Sequence, residues 1–148
     1  MPLLKLCTSC GGMHAHSVGK CQRGRTKPKT QASKFRDQRR WKAKSTAVRE
    51  RDHYLCQICI IEAYDTYLQY NSNQLEVNHI IPLEQDITLG FEETNLITLC
   101  TTHHKLADAG GIPKKLMQDL ATLPRDYEKI KATLSQGGYP PGPNIESG

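Results

Sequence analysis

Apolar positions in this chain fall in short bursts separated by polar stretches, and the bursts differ in period. Residues 41–51, WKAKSTAVRER, are rich in helix formers, and Trp41, Val48 and Ala47 can share one face while Arg and Lys take the other. Asp52 ends that run. In IIEAYDTYLQYN, Ile61, Tyr64 and Leu68 recur at helical spacing and predict a second helix, closed by the NSN of 71–73. On that reading Tyr64, Tyr67 and Tyr70 belong to a helix core and are not platforms for stacked bases. LEVNHIIPL predicts a short strand from Leu75, stopped near Pro82 because proline has no N–H for a ladder. FEETNLITLC predicts a turn at Thr94–Asn95 and a second strand from Leu96 to Leu99. Thr101 or Thr102 can cap a helix through HHKLADA, which Gly110 and Gly111 end, with Pro113 beyond. Residues 113–136 then read as short helices, and the Gly- and Pro-rich stretch 137–148 as an unstructured tail. The middle of the chain is strand, turn, strand, helix, the pattern of a small α+β fold.

Composition narrows the picture. The sequence has 148 residues and is 37% apolar, enough for one compact domain with a modest core, so cross-links are expected to support it. No apolar run is long enough to cross a bilayer, and MPLLKLCTSC lacks the apolar stretch of a secretory signal. The expected setting is the cytoplasm, with no membrane partner. Charge is uneven: residues 1–52 carry 14 Lys and Arg against 3 Asp and Glu, whereas residues 53–148 carry 6 against 12. A basic arm on an acidic body suits a polyanion partner, although a solvated linker has the same composition.

All six cysteines sit in groups with histidines at short spacings, which in a reducing compartment reads as metal ligation rather than disulfide bonding. Residues 1–24 form the first group, a zinc-knuckle-like unit in which Cys7, Cys10 and Cys21 and either His14 or His16 could surround one zinc. The spacing that uses His16 is one residue longer than a zinc knuckle's. Residues 25–40, RTKPKTQASKFRDQRR, show no usable apolar period and read as a basic linker. The second group joins Cys56-x2-Cys59 to Cys100-x2-His103, a closed Cys3His set expected to hold a structural zinc within residues 41–112. If His103 serves zinc, His104 is free, because neighbours on a helix point about 100° apart and do not face one ion.

The segments RDHYLCQIC, EVNHIIPL and NLITLCTTHHKLAD, with His79, Asn95 and His104 in that order between two ligand pairs, resemble the HNH endonucleases, the zinc-containing branch of the ββα-metal nucleases. The resemblance covers roughly residues 41–111 and is nearest to small HNH proteins encoded by tailed phages and prophages beside DNA-packaging genes. It implies a zinc-stabilised ββα-metal core with flanking helices. It implies His79 as general base, Asn95 as the residue that holds the inter-strand loop, and His104 as a ligand of one divalent cation, Mg²⁺ or Mn²⁺, Ni²⁺ or Co²⁺. Asn78 stands where the family more often has Asp; its amide can ligate a cation without supplying charge, so weaker binding or a softer ion is expected. Glu76, two residues earlier, reads as a surface charge, with replacement of that carboxylate as the alternative.

The resemblance further implies duplex DNA as substrate, large terminase and portal proteins as partners, and a bacterial host cell as the setting. Arg49, Arg51 and Lys105 are candidate phosphate contacts, and His53 is either structural or a phosphate contact. The competing reading is a non-catalytic DNA- or protein-binding adaptor on a decayed HNH scaffold, with Asn78 as its mark.

Overall fold

A computed structural model describes residues 3–7, 12–15 and 28–139. The chain divides into two compact units, Met1–Thr30 and Gln31–Gly148. In the first, β1 (Leu4–Leu6) pairs antiparallel with β2 (Met13–Ala15), and Lys5 faces His14. The Cys7 amide donates to the Gly12 carbonyl at 2.8 Å, which closes the hairpin at its turn. Cys7 and His14 lie on this hairpin, whereas Cys10, His16 and Cys21 lie outside the described residues, as do residues 140–148 of the expected tail.

The second unit is built on two strands. β3 (Leu75–His79) and β4 (Leu96–Cys100) are antiparallel, with His79 opposite Leu96 and Leu75 opposite Cys100. Every residue of β4 is buried, so it runs between two covered faces. On one side Ile97 and Leu99 join Ile58, Ile61, Ile112, Leu116 and Leu120, drawing in α3 (Gln57–Ile60) and α5 (Lys114–Ala121). On the other, Leu96 joins Phe35, Trp41, Val48 and Leu83 in a smaller cluster. α4 (Thr101–Asp108) follows β4 without a loop and packs on both strands, and α6 (Tyr127–Ser135) packs on α5. Among the described residues no helix is long and apolar enough to cross a membrane.

Two expectations need correction here. The stretch expected to be a linker, 25–40, contains α1 (Gln31–Arg36), and α2 (Arg39–Arg51) begins within it. Ala32 and Phe35 of α1 are buried. Two apolar residues three apart fix one short helix against a neighbour without giving the longer period that pattern reading requires. On α2 the buried stripe is Trp41, Ser45 and Val48, and Ala47 is exposed.

The helix expected across residues 61–70 does not form. α3 stops at Ile60, and Glu62, Tyr64 and Asp65 all take left-handed backbone with φ of 53°, 54° and 58°. Ile61 and Ala63 turn inward, while Tyr67 is fully exposed and Tyr70 largely so. The coil is held locally: the Cys56 amide donates to Asn71 O at 2.9 Å, and Gln69 Nε2 donates to Ile60 O at 3.1 Å.

One buried ion network ties the start of the second unit to its end. Asp52, wholly buried, accepts from Arg51 Nε at 2.8 Å and from the Thr98 amide at 2.9 Å, and pairs with Arg125 at 2.6 Å. Removing one member would strand a buried charge, which is why such a network fixes the packing of α2 against β4 and the turn before α6.

Candidate metal centre and cleft

The four residues of the second Cys/His group meet. Cys56 and Cys59 flank the start of α3, Cys100 ends β4, and His103 lies one turn into α4. His103 Nδ1 is 3.4 Å from Cys56 Sγ, 3.4 Å from Cys59 Sγ and 3.3 Å from Cys100 Sγ, and Cys59 and Cys100 sulfurs are 4.0 Å apart. A tetrahedral zinc with Zn–S of about 2.3 Å and Zn–N of about 2.0 Å needs similar separations. Among the described residues this is the one group of three or more His, Cys, Asp or Glu whose donor atoms all lie within 4.8 Å, and it can hold a metal ion such as zinc.

The surroundings suit that role. His103 Nε2–H donates to the Tyr64 carbonyl at 2.9 Å, so the lone pair is left on Nδ1, which faces the sulfurs. The left-handed residues at 62–65 are what bring that carbonyl into place. Asn71 Nδ2 reaches Cys59 Sγ at 3.9 Å. Burial pushes the Cys59 thiol up, and the adjacent Cys56 and Cys100 push it further.

A separate cleft of about 650 Å³ opens on the other side of the strands' end, lined by Arg36, Trp41, Ser45, Arg49, Glu76, Asn78, His79, Glu84, His104 and Asp108 among others. His79 is buried at the strand's end. Its Nε2–H donates to the Gly90 carbonyl at 3.1 Å, leaving Nδ1 as the basic nitrogen. Its ring stacks on Trp41, with centroids 4.6 Å apart and planes 25° apart, and meets Phe35 edge-on at 6.0 Å. Burial holds His79 below the ordinary histidine range against the upward pull of the Gly90 hydrogen bond, with the Arg36 charge adding to the fall. The ring is therefore neutral at neutral pH, the form a proton acceptor needs.

Asn95 fastens the loop between the strands. Its Oδ1 accepts from the Ile81 amide at 2.7 Å, and its Nδ2 donates to Ile81 O at 3.1 Å and Leu89 O at 3.3 Å. That is where Gly90 sits, so Asn95 holds the carbonyl that orients His79. His104 enters the cleft from α4. Its Nδ1 lies 3.1 Å from Glu76 Oε2 and 3.5 Å from Asp108 Oδ2. His103 and His104 thus face different groups, as adjacent helical positions require.

Residues 56–109 match the HNH endonuclease family. The match takes in the Cys3His group, both strands, the inter-strand loop and α4. No curated protein and no solved structure matches the chain. Within the HNH segment lie His79, Asn95 and His104; α1 and α2 lie outside it, yet they supply the aromatic wall behind His79.

Of the candidate phosphate contacts, Arg49 lines the cleft and Lys105 is exposed beside His104. Arg51 requires correction. Besides Asp52, it donates to Glu93 O at 2.8 Å and Leu96 O at 2.6 Å, so its guanidinium is consumed by the fold. His53 lines a different hollow, with Tyr70 and Lys131. Pattern reading missed the roles of Trp41, Phe35 and Asp108. Trp41 and Phe35 carry no local signal for an aromatic seat. Asp108 did carry one, because it stands four residues after His104 on the same helix face.

Proposed function

We propose that this chain is a metal-dependent DNA endonuclease in which β3, β4 and α4 act as a ββα-metal unit on a structural zinc. The observation that carries the reading is the single cleft lined by a buried, neutral His79 and by His104, whose helix is anchored through the neighbouring His103.

His79 Nδ1 takes a proton from a water that attacks the scissile phosphorus; the bond from phosphorus to the 3′ oxygen breaks, that oxygen takes a proton from solvent, and a 5′-phosphate and a 3′-hydroxyl are left. Gly90 O engages Nε2 and Trp41 stacks on the ring, so Nδ1 is the nitrogen left to accept a proton. Asn95 keeps the Gly90 loop in register. Asn78 and His104 would hold a divalent cation, whose charge would offset that of the phosphate and the departing oxygen. Arg36 and Arg49 are placed to meet phosphates along the cleft. One site per chain favours nicking of one strand.

The amino-terminal group, Cys7, Cys10, Cys21 and either His14 or His16, is assigned a second zinc. The likeness of the His79–Asn95–His104 layout to small phage HNH proteins extends the proposal to DNA packaging in a bacterial host, with large terminase and portal proteins as partners. Retention of a large terminase on the immobilised chain supports that extension, and no retention under nicking conditions removes it.

The test is relaxation of supercoiled plasmid with Mg²⁺, Mn²⁺ or Ni²⁺, beside His79→Ala. Metal-dependent nicking is expected, with a loss of at least about 100-fold in the variant, the scale of a missing general base. A folded, zinc-loaded protein that binds DNA and cuts with none of these ions would instead be an adaptor on a decayed scaffold.

A further inference from the structure

The hydrogen bond from His79 Nε2 to Gly90 O, 3.1 Å long, fixes one corner of the ring. It does not fix the plane. The torsion that turns a histidine ring is broad, so a single hydrogen bond leaves the imidazole free to tilt about it. Tilt matters for proton transfer, because the accepting nitrogen must stand within hydrogen-bond reach of the water and be aimed at it. What meets the face of the ring is Trp41, with centroids 4.6 Å and planes 25° apart, and both residues are only 8% exposed.

We propose that Trp41 is a positioning residue for the general base: its indole face sets the plane of His79. The α2 helix is thereby part of the catalytic unit, although it precedes residues 56–109, the segment that matches the HNH family. This rests on the nuclease reading of the same cleft and deepens it. Trp41 acts through His79 and takes no part in the reaction itself.

Three features argue for positioning rather than space-filling. First, the indole is itself braced. Phe35 stands 5.7 Å from it at 51°, Phe35 rests on Phe91 at 4.5 Å, and the Arg40 guanidinium lies 3.9 Å over the Phe91 ring. Trp41 shares the buried stripe of α2 with Ser45 and Val48, and the far end of that helix runs into the Asp52 network. A wall held from behind can hold what leans on it. Second, the contact is near-parallel, 25° against the 75° at which Phe35 meets the same imidazole. Flat rings keep preferred mutual orientations, whereas an aliphatic side chain fills the space without favouring a plane. Third, three elements divide the placement of one ring. β3 ends at His79 and sets its backbone, the inter-strand loop holds Nε2, and α2 supplies the face.

The experiment is steady-state nicking of supercoiled plasmid by the zinc-loaded full-length chain, below the thermal midpoint of every variant, with kcat and KM measured separately. Trp41→Leu is expected to lower kcat about tenfold with KM for DNA within about twofold, and Trp41→Phe to restore kcat to within about threefold of wild type. Val48→Ala is the packing control: Val48 is 1% exposed in the same apolar cluster, so its truncation weakens the fold, while kcat is expected to match wild type. A second readout needs no turnover. Trp41 is the chain's one tryptophan, so intrinsic tryptophan emission reports on it alone. Acrylamide quenching of that emission is expected to rise in His79→Ala, which uncovers one face of the indole. Unchanged kcat in Trp41→Leu overturns the assignment. So do a Trp41→Phe variant as slow as Trp41→Leu, an equal loss of kcat in Val48→Ala, and quenching that ignores His79. A wild type that nicks with no metal removes the nuclease reading and this inference together. His79-dependent nicking with an unchanged Trp41→Leu kcat removes this inference alone.

Discussion

His103 and His104 are adjacent in sequence and face different surroundings. His103 is buried, its Nδ1 against three sulfurs and its Nε2 on Tyr64 O; His104 is half-exposed in the cleft between two carboxylates. Their replacement should separate stability from activity. His103→Ala removes the one nitrogen from the Cys3His set, so zinc content should fall by one per chain and the cooperative thermal transition should be lost or shifted down by more than about 10 °C, because metal binding and folding are one equilibrium in such sites. His104→Ala, with no core contact to lose, should keep its midpoint within about 2 °C, since surface changes stay within about 0.5 kcal/mol. Calorimetry with zinc analysis measures both. An equal collapse in the two variants would contradict the division.

At the scale of elements, the inter-strand loop matters more than its length suggests. It carries Asn95, the Gly90 carbonyl and Leu83, and it packs against α1 through Phe35. Gly90 has ordinary right-handed backbone, φ −61°, so its need for glycine is spatial and not conformational. A Cβ there would stand 2.4 Å from Phe35 Cζ and 3.0 Å from Leu83 Cδ2. Phe35 cannot swing aside freely, because its ring is set between Trp41, Phe91 and His79. Gly90→Ala should therefore cost about 1–3 kcal/mol by overpacking. Urea denaturation gives the figure, and the same variant should lower nicking by disturbing the carbonyl that orients His79. An unchanged midpoint would mean that α1 yields without penalty.

On the scale of the whole molecule, the basic residues of the cleft and its histidines come from different stretches of chain. The acidic HNH segment contributes His79, His104 and the carboxylates, while α1 and α2, from the basic first third, contribute Arg36 and Arg49 to the same cleft. Attraction to a polyanion of this kind is salt-dependent through counterion release. Arg49→Gln should weaken duplex binding evenly across sequences and make the logarithmic salt slope shallower by about one. Fluorescence anisotropy between low and moderate salt measures it. An unaltered slope would place Arg49 off the DNA path. Arg51→Gln is the contrasting case, expected to act on folding through Asp52 and the Leu96 carbonyl.

Much of this protein was legible in its residues taken locally. Ligand pairs such as Cys56-x2-Cys59 and Cys100-x2-His103 announce themselves because two donors on one ion must be close along the chain. The strands at Leu75 and Leu96, the helix over His103 and His104 and the order of His79, Asn95 and His104 were likewise readable, since each depends on neighbours a few residues away. What only the tertiary structure decided are the matters that depend on distant chain. The Trp41 and Phe35 wall behind His79, the Tyr64 carbonyl that sets the His103 tautomer, and the diversion of Arg51 to Asp52 and Leu96 join residues tens of positions apart. The helix expected across 61–70 failed for the same reason. Its apolar spacing was genuine, but the coil was spent on reaching His103, and left-handed backbone at 62–65 answers to that contact rather than to local propensity.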